Sequence, residues 1–343
     1  MRPIHTTATL LLFTLLACEA PAPSAEATEV NVYTHRHYAS DKQLFERFAE
    51  LTGIRVNVVQ AGDDELMARL EAEGRNSPCD VFITADAGRL GLAKNRGLLR
   101  PARSQVLEAN IPAALRDPEG HWYGLTRRAR MVAYHKDKVD GASIATWDDL
   151  TKAEWKGRVL ARSAENIYNQ SLVAAMIAHQ GPDATLAWAR GIVGNLARDP
   201  VGGDTDQLLA VAEGIGDVAI ANSYYIAKLM ASDDPAHQKA KAVLRVAFPT
   251  IGEHGVHVNV SGGGVAKHAP HPEAAVRLLE FLSGPEAQAL FAQGNKEYPV
   301  LPDTPWPAEL EAFGPFEADG LGLDALNKFN SEASKVLQAA GWR

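Results

Sequence analysis

The sequence predicts an α/β protein of two lobes, each a mostly parallel sheet flanked by helices, with hinge strands between the lobes. Three observations carry this. The chain has 343 residues, and at roughly 100–200 residues per domain it should divide in two. Residues 29–84 alternate strand and helix patterns in the order β-α-β-α-β. The same alternation returns between residues 158 and 221.

The elements follow from periodicity. Residues 29–34 (EVNVYT) form a short β-type run. Residues 41–52 place Leu44, Phe45, Phe48 and Leu51 at helical spacing. Residues 54–59 read as a second strand, 63–73 as a second helix and 80–84 (DVFIT) as a third strand. Hydrophobic strands joined through helices are buried on both faces. Open α/β sheets take ligands beyond the carboxyl ends of their strands. The first such end is Thr34-His35-Arg36-His37-Tyr38, a polar cluster directly after a strand. In the second half, 158–161 is a strand, 171–179 a helix apolar nearly all round and hence buried, 205–213 a helix and 217–221 a strand. That last strand runs into Asn222-Ser223-Tyr224-Tyr225. Segments 130–135 and 257–265 are β-type and could cross between lobes. The run Ser261-Gly262-Gly263-Gly264 reads as a hinge or turn.

Composition narrows the function classes. Hydrophobic residues make up 46 % and charged residues 22 %, as in ordinary soluble globular proteins. Lys and Arg number 34 against 42 Asp and Glu, a net charge of -8. An acidic chain without a basic run does not suit nucleic acid. Two cysteines are too few for a disulfide scaffold or a Cys-rich metal site. Arg2 precedes an uncharged, mostly apolar stretch, 4–17, which is shorter than the roughly 20 residues a bilayer needs. It ends Leu15-Leu16-Ala17-Cys18, so 1–28 reads as an export signal and tether with a lipidation site at Cys18. Cys79 reads as a small buried residue. No Gly-Lys-Ser/Thr phosphate loop, His-Glu-x-x-His or Gly-x-Ser-x-Gly is present, so nothing argues for an enzyme.

The tyrosines carry the chemistry. The chain has eight; Tyr38 and Tyr168 sit in polar loops, and Tyr224 and Tyr225 are adjacent at a strand end. Tyrosinate is a hard anionic donor. With an ordinary pKa near 10 it ionises at neutral pH only beside a strong Lewis acid or cations. Ferric iron fits that donor. Zinc prefers Cys and His, and calcium prefers clustered carboxylates and carbonyls. Taken singly, a loop tyrosine is as well explained by packing or hydrogen bonding.

Five separated segments settle the choice: Tyr33 to Tyr38, Ser77 to Thr84, Asn166 to Ser171, Asn222 to Tyr225 and His257 to Gly262. In this order they resemble the ferric-iron-binding proteins of bacterial ABC transporters, periplasmic or lipid-anchored solute-binding proteins of the type II fold. The resemblance implies a metal set of His37, Tyr38, Tyr168, Tyr224 and Tyr225. Arg128 matches an arginine that can hold a synergistic anion such as carbonate. Lys228 stands where some relatives have arginine, keeping the charge without the bidentate geometry. His35 is expected at the rim, and Arg36 at the surface or just behind the ligands. At least one of Arg127, Arg128 and Arg130 is expected on a solvated strand edge. The implied lobes are 29–126 plus 251–301, and 127–250 plus 302–343. The implied partner is an inner-membrane permease that accepts ferric iron from a monomeric, exported carrier. The rival readings are a binding protein of the same fold for an organic or oxyanion ligand (polyamine, thiamine, phosphonate), or one coupled to a sensor.

Overall fold

Nine strands organise the chain: β1 (Glu29–Thr34), β2 (Arg55–Gln60), β3 (Val81–Thr84), β4 (Tyr123–His135), β5 (Val159–Leu160), β6 (Val218–Asn222), β7 (Leu244–Ala247), β8 (Val258–Val265) and β9 (Tyr298–Pro299). The structure is a computed structural model that describes residues 28–36 and 38–343. The export signal, Cys18 and His37 lie outside the described residues. Among the described residues no helix is long and apolar enough to cross a membrane.

The parallel pairing predicted for the first segment is present: β1 lies parallel to β2 and to β3. In the second half β5 is parallel to β6. The sheet is nevertheless mixed, in the order β2-β1-β3-β8-β4-β6-β5, because β8 and β4 enter antiparallel. The 13-residue β4 is the element that spans both halves. Its residues Tyr123 to Ala129 pair with β8, whereas Arg130 to Tyr134 pair with β6 and Val132 to His135 with β7.

Two expectations fail here. Residues 261–264 are neither hinge nor turn but the middle of β8, hydrogen-bonded to β3 on one side and β4 on the other. Glycine is required because the neighbouring chain comes too close for a side chain. A Cβ on Gly262 would overlap the Tyr123 carbonyl oxygen, and one on Gly264 the His121 carbonyl oxygen. Backbone cannot yield as a side chain can, so Gly264→Ala should destabilise the protein by about 1–3 kcal/mol, read by chemical denaturation. Nor is any of the three arginines on a solvated edge. β4 has partners on both sides; Arg128 and Arg130 are buried, and Arg127 is half-buried over the Tyr298 ring.

The core forms where the periodicity placed it. Leu44 and Phe48 of helix Ala39–Thr52 are fully buried, as are Leu66 and Met67 of helix Asp63–Glu73. Leu172 to Ile177 of helix Ile167–Gln180 are buried on every side. Helix Asp324–Ala339 packs across that helix and also touches helix Ala87–Asn95. Cys79 is a free, buried thiol, as expected.

Candidate metal centre

Three strand-to-helix or loop-to-helix junctions converge on one cavity. Tyr38 is the N-cap residue of helix Ala39–Thr52, just after β1. Tyr168 is the second residue of helix Ile167–Gln180, whose N-cap Asn166 accepts a hydrogen bond from the Tyr168 N–H at 3.1 Å. Tyr224 and Tyr225 are the second and third residues of helix Ser223–Ala231, directly after β6. Tyr168, Tyr224 and Tyr225 are therefore in helix first turns, whereas Tyr38 stays in the loop that caps its helix. The difference matters electrically: the positive ends of these helix dipoles lie beside the cavity and favour anions there.

The cavity holds about 230 Å³ and is lined by Tyr38, Tyr168, Tyr224, Tyr225, Lys228, Arg36, His35 and Ala85. The phenol oxygens of Tyr168 and Tyr224 are 3.2 Å apart. The Tyr224 and Tyr225 rings have centroids 4.2 Å apart at 31°. Side chains far apart in sequence thus present hydroxyls to one small space. His35 sits at its mouth, its side chain 40 % exposed and 3.4 Å from Asp63.

Cations surround the rings. Lys228 Nζ lies 4.3 Å from the Tyr38 ring centroid and 5.3 Å from that of Tyr224. Arg36 Cζ is 5.0 Å from the Tyr38 centroid. Arg128 and Arg162 stand 5.2 and 5.7 Å from the Tyr168 centroid. Burial outweighs these charges, however, and pushes the Tyr168 hydroxyl up to about 12. It raises Tyr38 and Tyr224 as well, the Glu297 charge adding at Tyr38 and the Tyr168 hydroxyl at Tyr224. At neutral pH without metal, these three are phenols. A hard, highly charged cation must expel their protons to bind, and would release them to solvent.

The partners of the residues around and behind the cavity were not legible in the sequence. Of the two places expected for Arg36, the one beside the tyrosines holds: it is 3 % exposed, with Nε 3.0 Å from Asp41 and Nη2 3.6 Å from Glu297. Arg128 does not line the cavity but lies behind Tyr168, donating to the Ser261 hydroxyl at 3.2 Å and to the Ala85 carbonyl. Arg130 anchors the helix starts. Its guanidinium donates to Asp204 at 2.9 Å, to Asn222 at 3.2 Å and to Asn169 at 2.6 Å. Asp204 also accepts from the Asn222 N–H at 2.7 Å, fixing the residue that precedes helix Ser223–Ala231. His257, buried with Nε2 3.2 Å from the Ser171 hydroxyl, is held neutral, its pKa pushed down to about 3 by burial and by the nearby Arg130 and Arg128.

Two sheet halves joined by a long crossing strand, with a polar cleft at the helix starts, define a solute-binding protein. The chain belongs to the bacterial extracellular solute-binding protein family, whose model matches residues 43–314. It is 45 % identical over 318 residues to iron uptake protein A1 of Synechocystis, covering 93 % of this chain and 88 % of that one. The Fe(3+)-binding periplasmic protein of Serratia marcescens is 30 % identical over 288 residues, covering 83 % and 82 %. Among solved structures, a Trichodesmium protein, IdiA or FutA, in complex with iron and citrate superposes with a TM-score of 0.88 at 44 % identity, covering 92 % of this chain and all of that one (100 %). Apo FutA2 of Synechocystis gives 0.87 at 43 % identity, covering 93 % and 100 %. The fold is the two-lobed type II fold of periplasmic binding proteins.

Proposed function

We propose that this protein binds ferric iron in the cleft between its lobes and delivers it to the permease of an ABC transporter for iron uptake. The observation that carries this reading is the convergence of Tyr38, Tyr168, Tyr224 and Tyr225 from three helix starts on one cavity of about 230 Å³. Their phenolates are the ligands, joined by His37. Four phenolates on a trivalent ion leave a net negative site, which Arg128 and Lys228 offset, and carbonate or another small anion can join the sphere without being required. The protein acts as a carrier and not as an enzyme. It works as an exported monomer on the periplasmic side, tethered through a lipid on Cys18.

The lobes are 29–126 plus 251–301, and 127–250 plus 302–343. His37 and Tyr38 then come from the first lobe and the other three tyrosines from the second. Iron contacts both lobes only in the closed form, so it stabilises closure by differential affinity. Opening by the permease, or reduction to ferrous iron with weaker phenolate bonds, releases the cargo.

Equilibrium dialysis against ferric citrate tests this. One ferric ion should bind per chain. Because the raised phenols must lose protons, apparent affinity should climb with pH by about tenfold per unit for each proton displaced. Binding without pH dependence, or no binding at all, would remove the phenolate set.

A further inference from the structure

Glu297 belongs to no motif, yet it lies 1 % exposed under the candidate centre. Its Oε2 is 3.6 Å from Arg36 Nη2 and its Oε1 3.9 Å from Arg128 Nη1. The Ser261 hydroxyl donates to the same Oε1 at 3.4 Å. Arg36 comes from the end of β1 and Arg128 from β4, so one carboxylate links the guanidinium groups that face Tyr38 and Tyr168. Lys228, in the cavity wall, lies within electrostatic reach of Glu297. A carboxylate this deep is kept only against paired cations.

Within the cluster that Glu297 links, the charges nearly close. Arg36, Arg128 and Lys228 carry three positive charges, and Asp41, 3.0 Å from Arg36, and Glu297 take two of them. One positive charge remains. A ferric ion on four phenolates carries one negative charge.

We propose that Glu297 is a built-in counter-anion, a positioning residue that limits how far ferric binding depends on a free small anion such as bicarbonate. This rests on the ferric reading of the four tyrosines. Without the Glu297 charge, two positive charges face one negative complex, and the cavity must recruit an anion at Arg36 and Lys228, which line it.

The test is ferric titration, against a fixed competing chelator, of wild type, Glu297→Gln and Glu297→Asp, in buffer freed of bicarbonate and again with millimolar bicarbonate. Wild type and Glu297→Asp should change by less than about threefold, whereas Glu297→Gln should bind weakly without the anion and recover roughly tenfold or more with it. A merely structural glutamate would weaken binding equally in both buffers. That result would overturn the proposal, as would a wild type that needs bicarbonate as steeply as expected of Glu297→Gln. Should Glu297→Gln fold poorly, Glu297→Met, also uncharged and of similar length, takes its place with the same expected recovery in bicarbonate. Failure of wild type to take ferric iron in either buffer would instead overturn the ferric reading on which the proposal rests.

Discussion

Tyr224→Phe should lower ferric affinity by more than the roughly 10–100-fold that changes just outside a metal's ligands cost. The substitution removes one oxygen and nothing else. Tyr224 is 2 % exposed and its ring packs tilted against Tyr225, and both features survive in Phe. What goes is an anionic donor that no neighbouring group can replace, together with the hydrogen bond to Tyr168. That second loss leaves the Tyr168 hydroxyl without its partner, so a stability cost of about 1–3 kcal/mol accompanies it. Tyr298→Phe is the control. Tyr298 is also fully buried, but it packs edge-on against Trp306 away from the cavity, and its loss of a hydroxyl should leave ferric affinity unchanged. Competition against citrate, alongside urea denaturation of each variant, separates the two effects. Equal affinity in Tyr224→Phe and wild type would make the tyrosine pair structural.

Asp204→Ala should destabilise the fold by about 3–5 kcal/mol, the usual consequence of removing one partner of a buried ion pair. Asp204 is fully buried and reaches both Arg130, at 2.9 Å, and Arg162, at 3.5 Å. Its loss leaves the Arg130 guanidinium charged and buried with only amide oxygens for company. It also frees the Asn222 N–H, so the start of helix Ser223–Ala231, and with it Tyr224 and Tyr225, is held less firmly. Ferric affinity should therefore fall along with stability. Replacing both partners, Arg130→Met with Asp204→Leu, should restore much of the stability and less of the affinity, because the Asn222 contact is not remade. Denaturation midpoints of the single and double variants check this. A loss below about 1 kcal/mol in Asp204→Ala would mean that the pair is solvated enough to be dispensable.

The parts of the molecule legible in its sequence share a physical cause. Residues 29–84 show clear hydrophobic periods, and their elements fall within two residues of the expected bounds. β8 was legible as a β-type segment over 257–265, but the run 261–264 within it was read as hinge or turn for the opposite reason. Three consecutive glycines carry no hydrophobic period, and the close approach of the Tyr123 and His121 carbonyls that demands them is visible only in three dimensions. At the centre, the four tyrosines stood out through residue type and neighbourhood. The helical setting of Tyr168, Tyr224 and Tyr225 did not, because a first turn carries capping and polar residues, such as Asn166, that look like loop. Glu297 and Asp204 were missed altogether, and Arg36 was named without its partners. Each meets its partner across a long stretch of chain, and a lone charged residue in sequence gives no sign that it is buried. Arg130 shows the same limit: its neighbours Arg127 and Arg128 made a surface edge plausible, and only the central position of β4 excludes it.

The central claim is that phenolate oxygens hold a ferric ion in this cleft, and the visible spectrum of the protein tests it most directly. Protein loaded with one equivalent of ferric ion from citrate, with the loading verified by iron analysis, should show a broad charge-transfer band from phenolate to iron that weakens in Tyr224→Phe and disappears on reduction. A colourless protein that nonetheless carries a full equivalent of ferric ion would contradict the account, because iron would then be held by other donors.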